Sequence, residues 1–248
     1  MPDGRVPGPV LFARYAFGPN RLGYCGPDDA RGLLDAAVAG DDGDLRQLAQ
    51  GFEGAYPYLD LIARANGIAD PLDATVVEAY WLGNELLRRV PAAALHDSLG
   101  ERFRPRLRPE GWRWLATKAP AGAHPVHAFH VFDVFPRLGL MRSGALDGAL
   151  GVMDACRIRW GEVRSVEGER LLVDVAPLTL VEGKMRLGER RPELVQRWLD
   201  GTGFVDGVAA GDVVSIHWGW ACDRLDARRL RNLAAWTTRQ LRLANRTV

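Results

Sequence analysis

The chain has 248 residues, of which 47 % are hydrophobic and 25 % charged, and its formal net charge is +1 at pH 7. These values predict one large or two small domains with a sizeable core, and they do not favour a nucleic-acid partner. Since no stretch approaches the roughly 18 apolar residues of a membrane span, and Met1–Val10 has no signal-peptide core, we expect a cytoplasmic protein without a membrane partner. The three cysteines, Cys25, Cys156 and Cys222, are typical of free thiols in a reducing compartment.

The first half of the sequence has helical patterning. Asp28 and Asp29 can cap a helix over Ala30–Ala39. Asp70-Pro71-Leu72-Asp73 is typical of a second helix start, and the apolar spacing extends that helix to about Val90. This helix carries Glu78 and Glu85, seven residues apart, for which a solvated helix face is a simpler interpretation than acid–base chemistry.

The segment Arg14–Asp28 is predicted to be a loop rich in Gly, Pro and aromatic residues. Cys25 lies in it, shortly before a predicted helix start, where the pKa of a thiol is lowered. Cys25 is therefore a candidate reactive thiol or metal ligand, although a turn packed by Tyr and Pro is the simpler interpretation.

Three histidines lie close together in an apolar stretch, His124, His127 and His130. On a helix the three would spread over one side, whereas on a strand His124 and His130 would share a face that excludes His127. In either case two imidazoles can converge on a metal, and Asp133 can add a carboxylate. A buried structural cluster, with each imidazole bonded to the backbone, is the alternative.

The patterning changes in the second half of the sequence. Gly144, Gly148 and Gly151 indicate a linker, and Asp226 can cap a last helix. Short alternating runs predict strands over Arg157–Val166, Leu171–Val175 and Val213–Trp220. The predicted fold is therefore α+β: a mainly helical domain over residues 1–150 of unrecognised function, then a small OB-like β-barrel with a C-terminal helix over residues 151–248.

Two pieces of this second half form a pattern. Cys156 is followed by Gly161 and Val163. A later segment carries Gly211, Asp212, Val214, His217, Gly219 and Ala221. A thiolate is a strong ligand for low-valent iron and an imidazole suits a neighbouring position. Since Cys156 opens one predicted strand and His217 lies near the end of another, we expect the two side chains to lie close together at an accessible edge of the barrel.

In these residues the chain resembles the HypC/HybG/HupF family of NiFe-hydrogenase maturation chaperones, over roughly residues 153–245. The resemblance implies a non-catalytic OB-like module that holds iron as an Fe(CN)2CO fragment through Cys156, with His217 beside it. It also implies partners, namely a HypD-like scaffold or the hydrogenase large-subunit precursor. The chain departs from the family pattern because Cys156 is internal, Trp160 replaces a usual Pro, and an insertion lies around Thr179–Gly207.

Two other functions are consistent with the sequence. In the first, the N-terminal domain is a metal-dependent enzyme whose histidine cluster makes or processes a small ligand, for example the CO of the hydrogenase iron. In the second, the chain is a non-catalytic interaction module.

Overall fold

The computed structural model describes residues 6–137 and 146–246, and within them the fold is mixed α+β. Helices come first, strands follow, and one long helix closes the chain. The helices are α1 (Gly8–Arg21), α2 (Ala30–Ala39), α3 (Asp42–Gln50), α4 (Tyr56–Ala65), α5 (Ala74–Trp81), α6 (Ala92–Phe103), α7 (Pro109–Ala116), α8 (His127–Phe129), α9 (Leu146–Cys156) and α10 (Ala227–Asn245). Among the described residues, no helix has the length and apolar character needed to cross a membrane.

Local capping explains why two of the predicted helices begin where they do. The Asp29 carboxylate accepts a hydrogen bond from the Gly32 amide and starts α2. The Asp226 carboxylate does the same for the Arg229 amide at the start of α10. Both helices therefore lie where the sequence predicts them.

Other helical boundaries differ from the prediction. The helix expected to reach Val90 is capped by Asp73 but ends at Trp81, because Gly83 adopts a φ of 84° and a 3₁₀ turn follows at Glu85–Arg89. The predicted loop Arg14–Asp28 is wrong in its first half, since α1 continues to Arg21 with Pro19 in its last turn.

The expected glycine linker is also incorrect where the structure describes it. Gly148 and Gly151 lie within α9, whose last residue is Cys156, so Cys156 ends a helix and does not open a strand. Gly144 lies outside the described residues. The predicted division near residue 150 stays a prediction, and the buried apolar cluster includes residues from both sides of it.

The strands are β1 (Arg159–Glu167), β2 (Arg170–Val175), β3 (Leu178–Val181), β4 (Lys184–Leu187), β5 (Arg191–Gln196), β6 (Trp198–Leu199), β7 (Thr202–Gly203), β8 (Val213–His217) and β9 (Trp220–Arg224). Five of them pair in the order β1-β2-β5-β9-β8, and β8 pairs again with β1, so the pairing forms a closed ring. The β3-β4 and β6-β7 pairs flank β5 in sequence, so the insertion expected around Thr179–Gly207 contains one strand of the main sheet and two small hairpins.

A tight turn divides the predicted strand Val213–Trp220 into β8 and β9. Trp218 and Gly219 both have positive φ values, 51° and 72°. A two-residue turn of this kind suits the twist of an antiparallel hairpin. His217 is consequently the last residue of β8 and lies next to the turn.

Helix α1 packs directly on this hairpin. The rings of Phe17 and Trp220 meet edge to face with centroids 4.7 Å apart. A Cβ added at Gly18 would lie 2.4 Å from the His217 carbonyl oxygen, so only glycine permits the close approach of the two backbones. The helical part and the sheet are therefore in contact where His217 lies.

A charged network joins the same parts of the chain. Glu78 of α5 is only 8 % exposed and accepts hydrogen bonds from Arg228 and Arg229 of α10. Arg229 also pairs with Asp223 of β9, which in turn pairs with Arg14 of α1. The solvated helix face expected for Glu78 is therefore incorrect, and its side chain fastens α10 to the helical part.

Candidate metal centre

Three side chains from separate elements meet at one point: His127 at the start of α8, Cys156 at the end of α9 and His217 at the end of β8. One donor atom from each of them lies within 4.8 Å of the other two. The expected proximity of Cys156 and His217 is therefore confirmed, and His127 joins them. The accessible edge expected for the pair is incorrect, because His217 is only 1 % exposed where the hairpin packs against α1. Two imidazoles and one thiol at this separation can converge on a single metal ion after small side-chain movements.

The backbone orients the His217 ring. Its Nδ1–H donates to the Tyr15 carbonyl oxygen at 2.6 Å, which leaves the lone pair on Nε2. Within the described part of the chain, this buried Nε2 makes no hydrogen bond of ordinary geometry. Because the ring is only 1 % exposed, the unpartnered nitrogen is unusual, and a metal ion is one group that can satisfy it.

The His127 ring is oriented in a similar way. Its Nε2–H donates to the Cys156 carbonyl oxygen at 2.8 Å, and its Nδ1 accepts a hydrogen bond from the Tyr80 hydroxyl at 3.1 Å. Metal-binding histidines usually donate the opposite N–H to a carbonyl in this manner. The Nδ1 lone pair is therefore available to a metal that displaces the Tyr80 hydroxyl.

Burial keeps all three ligand groups uncharged. Desolvation lowers the pKa of His127 to about 4 and the pKa of His217 well below its ordinary value. Desolvation, with a smaller contribution from the nearby Cys25, also raises the pKa of the Cys156 thiol to about 12. Near neutral pH both imidazoles are unprotonated, and Cys156 loses its proton only to a cation that replaces it.

A cavity of about 80 Å³ adjoins the three ligands. It is lined mostly by apolar atoms of aromatic side chains, among them Trp81, whose ring centroid lies 4.7 Å from that of His127 and 5.7 Å from that of His217. The volume is several times what one water molecule requires. The site therefore has room for small ligands beside a metal ion.

The predicted histidine cluster does not assemble as a unit. The ring of His124 packs against Trp236, and its Nδ1–H donates to the Gly122 carbonyl, so it takes no part in the site. His130 begins a π-helical turn and lines the cavity, with its Nδ1 3.4 Å from the Tyr58 hydroxyl. Asp133 pairs instead with Lys118 at 3.1 Å, and both are fully buried.

Cys25 lines the same cavity from the turn after α1. Cys25 is itself an exposed residue, yet desolvation of its thiol raises the pKa to about 12. The lowered pKa expected from a helix N-terminus is therefore wrong, because α2 begins at Ala30 as predicted but desolvation raises the pKa of the thiol. Cys222 is buried in β9, and its thiol donates to the Trp220 carbonyl.

His127 is a ligand candidate in the sequence, but its expected partners His124 and His130 are wrong. The ring meets the ring of His217 with centroids 5.1 Å apart, and both touch Trp81. The helical spacing of the histidines carried no sign of this contact, which depends on how α8 lies against the β8-β9 hairpin.

The fold and the site together define a mixed α+β protein with a buried His₂Cys centre where the helical part meets the sheet. The chain belongs to the family described as "Family of unknown function (DUF6390)", whose model matches residues 4–248. No curated protein and no solved structure matches it.

Proposed function

We propose that this protein is an accessory factor of NiFe-hydrogenase maturation that holds iron, or an Fe(CN)2CO-type fragment, at His127, Cys156 and His217. One observation carries the proposal: a donor atom of each of these side chains lies within 4.8 Å of the other two. Two of these residues also belong to the resemblance to the HypC/HybG/HupF chaperones, which implies Cys156 as the iron ligand and His217 beside it.

The electrostatics of the site support reversible metal holding. An iron ion that enters the site exchanges for the Cys156 proton, and the thiolate formed offsets the cost of placing a cation in apolar surroundings. The imidazoles need not lose a proton, because burial keeps the pKa of His127 at about 4. Protonation of the thiolate reverses the exchange, as a factor that must release its cargo requires.

The cavity supports a cargo larger than a bare ion. Its volume of about 80 Å³ leaves room for diatomic ligands such as CO or cyanide beside the iron. The lining of the cavity is mostly apolar, which suits an iron fragment with strong-field ligands.

The sheet supports an OB-type barrel as the framework. Its five strands close in the order β1-β2-β5-β9-β8, and β5 and β9 form a parallel pair. An OB fold is a five-stranded Greek-key barrel. On this proposal the partner is a HypD-like scaffold or the hydrogenase large-subunit precursor, as in the chaperones that the chain resembles.

Anaerobic purification from a host with an active hydrogenase maturation system tests the proposal. We expect iron in the wild-type protein together with infrared bands of bound CO and cyanide, and loss of both in Cys156→Ser. Cys222→Ser is the matched control, because Cys222 lies outside the cavity and a serine hydroxyl can keep the bond to the Trp220 carbonyl. A metal-free wild-type protein, or full hydrogenase maturation with Cys156→Ser, would contradict the proposal.

A second candidate function is a metal-dependent enzyme that makes or processes a small ligand at the same centre. His130 favours it, because this histidine lines the cavity without belonging to the three-residue cluster. Burial lowers the pKa of His130 to about 3, so a neutral imidazole faces any substrate there. For the enzyme, His130→Gln should abolish turnover and leave metal content unchanged. For the chaperone, the same variant should still support maturation. Absence of metal under all conditions would favour the interaction module.

A further inference from the structure

We propose that Cys25 is a second thiol ligand of the metal centre and completes a four-coordinate Cys₂His₂ site. This inference rests on the proposed function, since it requires that the three-residue cluster holds metal. Its basis is the cavity, which Cys25 lines together with His127, Cys156 and His217.

The three-residue cluster by itself leaves a coordination position open. Tetrahedral sites with three protein ligands keep a fourth position for an exchangeable ligand, whereas closed sites fill it with a fourth side chain. Within the described residues, the buried Nε2 of His217 makes no hydrogen bond of ordinary geometry, which is a second indication that this cavity receives a ligand. Besides the cluster, the histidines and cysteines that line the cavity are Cys25 and His130.

Of these two, Cys25 is better placed to close the site. The His130 Nδ1 lies 3.4 Å from the Tyr58 hydroxyl, and the His130 ring packs against the Tyr58 ring. The Cys25 side chain belongs to a turn and lines the cavity together with Cys156.

The neighbouring residues hold the Cys25 turn against the centre. The Tyr24 ring stacks on the Trp218 ring with centroids 3.8 Å apart, and Trp218 follows His217 directly. The Asn20 side-chain amide donates to the carbonyl oxygens of Cys25 and Pro27, at 2.8 and 2.7 Å. These contacts hold the turn against the residues that line the cavity.

The turn must still move to bring the sulfur into contact with a metal, because Cys25 is not among the three residues whose donor atoms lie within 4.8 Å of one another. Gly23 and Gly26 lie on either side of Cys25 and have φ values of 72° and 86°, which glycine adopts without strain, so the turn can move at these two positions. Closure would give a divalent ion two thiolates and two neutral imidazoles, a complex with no net charge. Each thiol would lose one proton to solvent, and opening of the turn would free one position for a partner's ligand.

Titration of the metal-free, reduced protein with Co²⁺ under anaerobic conditions tests the inference. Tetrahedral Co²⁺ gives intense visible bands, and the thiolate-to-cobalt charge-transfer band grows with the number of bound thiolates. We expect about half of the wild-type charge-transfer intensity in Cys25→Ser and in Cys156→Ser, and full intensity in Cys222→Ser and His130→Gln. Circular dichroism checks that each variant is folded. If Cys25→Ser does not fold, Cys25→Ala takes its place in the comparison.

The outcomes separate this inference from the proposed function. Full intensity and unchanged Co²⁺ affinity in Cys25→Ser, with loss in Cys156→Ser, would overturn the role of Cys25 alone. Weaker Co²⁺ binding in His130→Gln, with unchanged binding in Cys25→Ser, would assign the fourth position to His130. A wild-type protein without a charge-transfer band, or one unaffected by Cys156→Ser, would overturn the metal centre itself.

Discussion

The imidazole rings of His127 and His217 meet with centroids 5.1 Å apart and planes at 76°. Each ring donates one N–H to a main-chain carbonyl, that of Cys156 for His127 and that of Tyr15 for His217. The orientation of both rings therefore depends on the backbone of α1 and α9. A substitution that shifts either helix should reorient the imidazoles even when His127 and His217 are unchanged.

Gly18→Ala should disturb the site through this packing. The added Cβ would lie 2.4 Å from the His217 carbonyl oxygen and 3.2 Å from the Trp220 Cβ, so α1 must shift away from the hairpin. We expect a loss of about 1–3 kcal/mol in the free energy of unfolding, measured by urea denaturation, and weaker metal binding.

Gly43→Ala is the matched control in α3. Its Cβ would meet only the Asp41 carboxylate at 3.6 Å, so this helical substitution should be neutral or stabilising. Equal stability of the two variants would contradict the close approach.

Tyr80→Phe should identify the nitrogen of His127 that binds metal. In the metal-free protein the Tyr80 hydroxyl donates to Nδ1 at 3.1 Å, and a metal at Nδ1 must displace it. Removal of a competing hydrogen bond worth about 0.5–1.5 kcal/mol should strengthen Co²⁺ or Fe²⁺ binding about twofold to tenfold. Tyr58→Phe is the control, because its hydroxyl faces His130. Weaker metal binding in Tyr80→Phe would instead place the metal at Nε2.

Metal binding should release protons from thiols and none from histidine. The pKa of Cys156 is raised to about 12 by desolvation, so the thiol is protonated in the metal-free protein between pH 6 and 9. The pKa of His127 is lowered to about 4, so this imidazole is already unprotonated in the same range. We expect about one proton per metal ion in Cys25→Ser, and affinity that rises about tenfold per pH unit. Calorimetry in buffers of different ionisation enthalpy measures the number of protons released per metal ion. The wild-type protein should release about two protons if Cys25 also binds. Metal binding without proton release would exclude thiolate ligation.

Glu78→Gln should weaken the attachment of α10. Burial by itself would raise the pKa of Glu78, but the two arginines Arg228 and Arg229 outweigh it, and the pKa is lowered overall. A folded-state pKa below the unfolded value stabilises the protein above about pH 4.3, and this stabilisation is lost as pH falls through the folded-state pKa. We expect a loss of about 1–3 kcal/mol at pH 7, less than for a fully buried pair because Arg228 is half exposed.

Urea denaturation at a series of pH values checks this expectation, and the difference between wild type and Glu78→Gln should shrink below pH 4. Glu85→Gln is the control, since Glu85 is exposed and makes no ion pair within the described residues. A loss as large in Glu85→Gln would indicate a general charge effect.

Much of the secondary structure could be predicted because its signals are local. A capping aspartate placed the starts of α2 and α10, and alternation of apolar residues located β1 and β2. The convergence of Cys156 and His217 was also expected, although the reason was partly wrong, because Cys156 ends α9 and does not open a strand. These features depend on residues within a few positions of one another, or on a spacing that the chain itself displays.

Only the tertiary structure decided the composition of the site. His124 and His127 lie three residues apart and looked equivalent, yet His124 packs on Trp236 of α10 while His127 reaches the β8-β9 hairpin. The sequence also gave no sign that Glu78 is buried against arginines of α10. Sequence by itself determined which residues can ligate a metal and where most helices begin. Which ligands meet was decided by contacts between segments far apart in the chain, because side-chain packing, unlike capping or alternation, leaves no periodic signal in the sequence.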